Sequence, residues 1–240
     1  MNNKTSVTVV TPVHNEGMSI ASTLREFFIK FQGSLLNIKF VVSEDGSTDN
    51  SVDEIKKVKK EFNITLISDE SRKGYSKAVV DGLRLVDEGL VSFIDSDGQC
   101  DPEDLNHLLD NYDGESIVVG YRNPRIDSPI RKLMSSLFKA VYFTIFKIRL
   151  KDPSCPYFLT SKKNVDLILN TPEIGLLEQG FWWEFYARAY SLGINFIEVP
   201  INHRSRAFGQ TVVYRFTKVP RIAYEHILAL FELNKICKKL

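Results

Sequence analysis

The chain has 240 residues, 43% of them apolar, with 31 basic and 30 acidic side chains and a formal net charge of +1. That length and apolar share suffice for one large core and exclude a disordered or collagen-like chain. The near balance of charge leaves no global field to attract nucleic acid, so no nucleic-acid partner is expected.

Cys100, Cys155 and Cys237 follow neither a disulfide nor a zinc-site spacing and point to a reducing compartment. The first residues enter a strand pattern with no basic-then-apolar leader, and no run reaches the roughly 20 apolar residues that cross a bilayer. The expectation is a cytoplasmic protein whose membrane contact would be peripheral or made through a membrane partner protein.

In chain order the sequence alternates strand-like and helix-like stretches, the pattern of a sheet flanked by helices. Val7 to Thr11 reads as a buried strand, and Ser19 to Phe31 carries Ile20, Leu24, Phe27, Phe28 and Phe31 at helical spacing. Ile38 to Ser43 is a second strand, after which Ser51 and Glu54 are spaced as a capping box for the next helix. Ile64 to Ser68 is a third strand, Ser76 to Leu85 a helix opening after Gly74, and Leu90 to Ile94 a fourth strand. A helix starts at Asp101-Pro102, and Ile117 to Gly120 makes a fifth strand. Residues 1–120 thus read as a nucleotide-binding α/β half.

The character changes after Tyr121, where Arg122, Arg125, Arg131 and Lys132 precede Leu133 to Leu150, apolar almost all round yet punctuated by Lys139, Lys147 and Arg149. Two readings are open. It is a buried helix, or an interfacial one whose lysines snorkel toward anionic head groups while Phe138, Tyr142, Phe143 and Phe146 enter the acyl boundary. Gln179 to Leu192 is a further helix, Asn195 to Val199 a strand and Pro200 to Thr211 a basic loop. The last helix, roughly Pro220 to Cys237, puts Ile222, Ile227, Leu228, Phe231 and Ile236 on an apolar face and ends in Lys238 and Lys239. Its composition suits a membrane, a partner or a second copy of the chain, so a homo-oligomer is possible on this reading.

The strongest chemical signal is VSFIDSDGQCDPEDL, Val91 to Leu105, where an apolar strand delivers Asp95 and Asp97 into a loop with Gln99 and Asp101, and Gly98 permits a sharp turn. Open α/β sheets keep their ligands at the carboxyl ends of their strands. Two carboxylates one residue apart repel unless a cation joins them, and such hard oxygens suit Mg²⁺ or Mn²⁺ carrying a phosphate. The first strand ends in Thr11-Pro12-Val13-His14-Asn15-Glu16-Gly17 and the second in Ser43-Glu44-Asp45-Gly46, placing amides and carboxylates at the same edge. A carboxylate there can accept from a ribose hydroxyl or a base imino group, whereas Arg72-Lys73-Gly74 at a helix start suits diphosphate oxygens.

In order and spacing, VVTPVHNE, SEDGSTDNS, RKGYSKAV, FIDSDGQCDPEDL, GYRNPR, FWWEFYARAYSLGINFIEVPI and HRSRAFGQT resemble family 2 inverting glycosyltransferases of the GT-A fold, most closely their dolichyl-phosphate mannose synthase-like branch. The resemblance covers about residues 5 to 212. It implies a GT-A domain over 1–212, with a nucleotide-sugar half (1–120), an acceptor half (121–212) and an amphipathic helix beyond (213–240). The fold it implies is α/β, a Rossmann-like mixed sheet flanked by helices, with amphipathic C-terminal helical additions. It further implies a hexose donor, a UDP- or GDP-sugar, held by Pro12, Val13, Asn15, Glu16, Asp45, Lys73, Gly74, Asp95 and Ser96. The divalent metal would be held by Asp95, Asp97 and Gln99. A polyprenyl (dolichyl or undecaprenyl) phosphate acceptor would meet Arg122, Arg125, Arg131 and Ser135, with Arg206, Gly209 and Thr211 forming a loop like R-x-x-G-x-S that closes over both phosphates.

A phosphate oxygen is already anionic near neutral pH and needs no general base. A glycan or protein hydroxyl would need one, and Asp152, Glu178 and Glu184 are the candidates, Glu184 being the one whose pKa burial would raise. Where the branch has D-x-x-s-G-F-R this chain has Asp152-Pro-Ser-Cys-Pro-Tyr-Phe158, without the Gly and Arg, and no Q-x-x-R-W signature of a processive synthase is present. FIDSDGQ also resembles the nucleophile motif of haloacid dehalogenase-like phosphatases, which ends their first core strand and not the fourth. A non-catalytic nucleotide-sugar-binding module is the remaining alternative. His203 is open as a metal ligand, a phosphate donor or a loop histidine bound to backbone.

Overall fold

The computed structural model describes residues 5–123, 129–178, 180–205 and 219–240, with the side chains of 129–134 and 219–224 outside that description. Seven strands form one mixed sheet in the order β3-β2-β1-β4-β6-β5-β7. These are β1 (Thr5–Val13), β2 (Leu36–Glu44), β3 (Ile64–Ser68), β4 (Leu90–Phe93), β5 (Ile117–Arg122), β6 (Phe158–Ser161) and β7 (Phe196–Ile201). β3, β2, β1 and β4 run parallel, β6 is antiparallel to both β4 and β5, and β7 is parallel to β5. The carboxyl ends of six strands therefore share one edge of the sheet.

Among the described residues eight helices cover the two faces: α1 (Ile20–Phe31), α2 (Ser51–Lys59), α3 (Tyr75–Arg84), α4 (Glu103–Asp110), α5 (Pro129–Phe146), α6 (Lys162–Leu169), α7 (Phe181–Ser191) and α8 (Val219–Cys237). The period-2 alternation of the strands sorts the core into two layers. Val9, Phe40, Val42, Val118 and Leu159 face Leu24, Phe27, Ile55, Val58, Leu105 and Leu108 of α1, α2 and α4. Val10, Val41, Phe93, Val119 and Phe158 face α3 and α5 to α8. The expected sheet flanked by helices is thus present, while β6 and α6 were not anticipated. β6 is only four residues long and lacks turn punctuation before its helix.

Several local expectations are corrected. The capping box at Ser51 and Glu54 does not form, because the Ser51 hydroxyl donates to the Asp49 carboxylate at 2.5 Å and accepts the Glu16 amide at 2.9 Å. Helix α5 turns Tyr142 and Phe146, two of the four aromatics that the interfacial reading sends into an acyl boundary, into the core. Tyr142 is wholly buried and donates to the Trp183 carbonyl at 2.8 Å, Phe146 is buried, and Phe138 meets Trp183 edge-on at 4.6 Å. Helix α8 turns Leu230, Leu233 and Cys237 into the core and leaves Leu228 and Phe231 about half exposed. Its buried stripe thus lies on a different face from the one the residue pattern suggested. No helix among the described residues is long and apolar enough to cross a membrane, and all three cysteines are free thiols.

Candidate active site

The loops after β1, β2 and β4 meet at the ligand edge, the first two stitched by side chains. The Asn15 amide N–H donates to Ser47 Oγ at 2.9 Å, its Oδ1 accepts from the Thr48 amide at 2.8 Å, and Gly17 N–H reaches Asp49 Oδ2 at 3.0 Å. Asn15 adopts a positive φ of 56°, which Asn tolerates better than most side chains. His14 Nδ1 donates to the Asp45 carbonyl at 2.7 Å, which fixes the tautomer. Burial pushes the Asp49 carboxyl up, but hydrogen bonds from Ser51 and Gly17 more than offset it and hold its pKa below the usual value. Pro12 and Val13 are buried at the end of β1, and the Glu16 carboxylate accepts from Ser19 Oγ at 2.8 Å.

Asp45, 3% exposed, receives the amides of Lys73 at 2.5 Å and Gly74 at 3.0 Å, so it anchors the loop that starts α3. Gly46 makes this possible. Its φ is +62°, and a Cβ there would lie 2.6 Å from the Arg72 nitrogen and the Ser71 carbonyl carbon. The Lys73 ammonium pairs with Asp69 at 2.6 Å and with Asp81, which raises its pKa. Lys73 thus reaches the edge through its amide, while its charge is shared with two carboxylates.

In the β4 loop Ile94 is fully buried and Gly98 turns the chain with φ +76°. The Ser96 carbonyl accepts from Ser19 Oγ at 3.1 Å, and Asp97, 4% exposed, accepts the Gln99 amide at 3.0 Å. Asp95 accepts the Tyr75 hydroxyl at 3.0 Å, which in turn accepts Trp182 Nε1–H at 2.9 Å. The Gln99 side-chain nitrogen donates to the Arg204 carbonyl at 2.9 Å and lies 3.3 Å from His203 Nε2, so the atom of metal-ligating chemistry on this side chain is its carbonyl oxygen. Among the described residues no three His, Cys, Asp or Glu side chains group to hold a metal by themselves. Two carboxylates and an amide nevertheless fit Mg²⁺ or Mn²⁺, which complete their shells with phosphate oxygens and water.

On the acceptor side Arg122 grips Asp152 with two bonds, at 2.6 and 2.9 Å, and donates to Ser154 Oγ at 2.7 Å. Glu184 and Arg188 are both 0% exposed and pair at 2.7 Å. Glu184 also accepts the amides of Gly175 and Leu177, and Arg188 donates to Thr171 and to the carbonyls of Pro172 and Glu173. The residue expected as the base of raised pKa is therefore the clamp of the 171–177 loop. That loop is tied to α3 by Ser76 Oγ, which donates to the Leu177 and Glu178 carbonyls. Glu178 is exposed, and its Oε1 lies 3.0 Å from where a Cβ on Gly74 would sit. Ser135 is half-buried near the start of α5, and Arg131 lies in α5 with its side chain outside the described residues. Arg125, Arg206, Gly209 and Thr211 lie outside them altogether.

Residues 8–163 match the model of glycosyl transferase family 2. The chain belongs to that family. As a family 2 glycosyltransferase it is an enzyme that uses a nucleotide sugar, and the phosphatase and non-catalytic readings are set aside. Among solved structures it is similar to glucosyl-3-phosphoglycerate synthase from Mycobacterium tuberculosis in complex with Mn²⁺, uridine diphosphate and phosphoglyceric acid. The TM-score is 0.66 at 16% identity, over 96% of this chain and 78% of that one. It is also similar to mannosyl-3-phosphoglycerate synthase from Rubrobacter xylanophilus, with a TM-score of 0.66 at 14% identity, over 98% and 76% of the two chains. These likenesses place the mixed sheet of this glycosyltransferase among GT-A folds. Sequence reading missed Tyr75 and Trp182, because no spacing rule connects residues 75, 95 and 182 before the sheet brings α3 and α7 to the end of β4.

Proposed function

We propose that this glycosyltransferase moves a hexose from a UDP- or GDP-sugar to polyprenyl phosphate with inversion at the anomeric carbon, at the cytoplasmic face of a membrane. One observation carries the choice of acceptor. Two of the three carboxylates available as a base are committed elsewhere, Asp152 to Arg122 and Glu184 to Arg188 and two loop amides. An anionic phosphate attacks without a base, so their commitment costs such a reaction nothing.

In this reading Asn15, Glu16 and Asp45 frame the nucleoside on loops already laced together. Asp95, Asp97 and Gln99 hold Mg²⁺ or Mn²⁺, which when bound neutralises charge on the departing diphosphate. In this reading the phosphate of the acceptor meets Arg122 beside Asp152, together with Arg125, Arg131, Arg206 and the Gly209–Thr211 segment, arginine being suited to it because its planar fork grips oxyanions bidentately. The test is phase partitioning of radiolabel after incubation with Mn²⁺, labelled UDP- and GDP-sugars and polyprenyl phosphate. Label entering the organic phase with wild type and falling at least a hundredfold with Asp97→Ala is the expected result. Near-native transfer by Asp97→Ala would overturn the metal assignment.

A second reading has one observation in its favour, the exposed Glu178 carboxylate beside Gly74. With a hydroxyl acceptor, this reading takes Glu178 as the base. Phosphoglycerate is the first such acceptor to try, given the solved relatives. Label transferred to it and lost with Glu178→Gln, with none in the organic phase, would replace the lipid phosphate.

A further inference from the structure

We infer that Tyr75 is a positioning residue for Asp95, and that Trp182 holds Tyr75 in that role; the inference rests on the reading of Asp95 as a metal ligand. The direction of every proton in this chain of contacts is determined. An indole N–H only donates, so the 2.9 Å contact from Trp182 Nε1 makes the Tyr75 oxygen an acceptor. The single phenolic proton is then directed to Asp95 Oδ1 at 3.0 Å, where an ionised carboxylate can only accept.

The anchor is rigid on both sides. Trp182 is 5% exposed and packs edge-on against Phe93, the last residue of β4, at 4.4 Å, and against Phe181 at 5.2 Å. Tyr75 follows Gly74, whose amide is held by Asp45. One short segment, Lys73 to Tyr75, therefore contacts the nucleoside-side carboxylate through its amides and the metal-side carboxylate through a hydroxyl. Such a donor orients the carboxylate and selects which oxygen is presented to a cation, and removing outer-shell partners of this kind typically weakens metal binding about 10–100-fold.

The measurement is Mn²⁺ affinity at saturating UDP or GDP, whichever the wild type binds, followed by electron paramagnetic resonance, on wild type, Tyr75→Phe and Trp182→Phe, with thermal midpoints alongside. Tyr75→Phe keeps the ring and loses the donor. It should weaken Mn²⁺ about tenfold with nucleotide affinity in the absence of metal unchanged, and Trp182→Phe should weaken it in the same direction by a smaller factor. Mn²⁺ affinity of Tyr75→Phe within twofold of wild type, in a wild type that binds Mn²⁺, would overturn the positioning role alone. A wild type that binds nucleotide but no Mn²⁺ would instead overturn the metal reading on which it rests.

Discussion

At the scale of single residues, the same chemistry takes opposite jobs according to its surroundings. Asp95 and Asp97 sit on a loop at the ligand edge, whereas Glu184 is sealed with Arg188 beneath the 171–177 loop. Removing one member of a buried pair strands the other, at about 3–5 kcal/mol. Glu184→Gln should therefore lower stability by about 3 kcal/mol in urea unfolding while the turnover of the folded fraction stays within a few-fold. A hundredfold loss of turnover at unchanged stability would make it a catalytic group after all. The place of Asp95 and Asp97 was legible because it is local, a strand end followed by carboxylates. The role of Glu184 was not, because its partners arrive from a loop whose course only the fold determines.

At the scale of elements, loops are fixed by neighbours more than by their own propensities. Gly46 lets the 71–72 backbone pass so closely that the α3 start can reach Asp45. Gly46→Ala combines a left-handed φ with that clash, costing about 2 kcal/mol or more. It should reduce nucleotide affinity at least tenfold by calorimetry. The segment after β7 is pinned to α4 by Asp104, which accepts the Asn202 amide at 2.8 Å. Burial, partly offset by that bond, pushes the Asp104 carboxyl from 3.8 up to about 6. A raised carboxyl means the folded state holds the extra proton, so this group favours folding most below pH ~4 and progressively less until pH ~6 is passed. Asp104→Asn keeps an acceptor and cannot ionise. It should gain stability over wild type on the order of 1 kcal/mol at about pH 7.5 and none at about pH 4, read by urea denaturation. Every helix except the eight-residue α6 was legible from periodicity, but which face of α5 and α8 is buried was not. α5 is apolar nearly all round, and its buried side is set by Trp183, while α8 packs on α5 and α7 and buries Leu230 and Leu233 there.

At the scale of the whole molecule, α8 is structural. Leu230, Leu233 and Cys237 complete the layer that contains Tyr142 and Trp183. A chain ending at residue 218 should lose roughly 4 kcal/mol or more from the two leucines alone and unfold at lower urea. An unchanged midpoint would make residues 213–240 the separable appendage that the sequence suggested. The fold class was legible because strands and helices alternate. The reversed strand was not, and it decides how the two parts of the chain depend on each other. β5 meets the first four strands only through β6. During synthesis β4 leaves the ribosome about 65 residues before β6. At ~5–20 residues per second it stands for several seconds as a naked edge, open to pairing with any other extended chain. The nucleotide half is thus born with an adhesive border, which Phe158–Ser161 seals from the far side of the sequence.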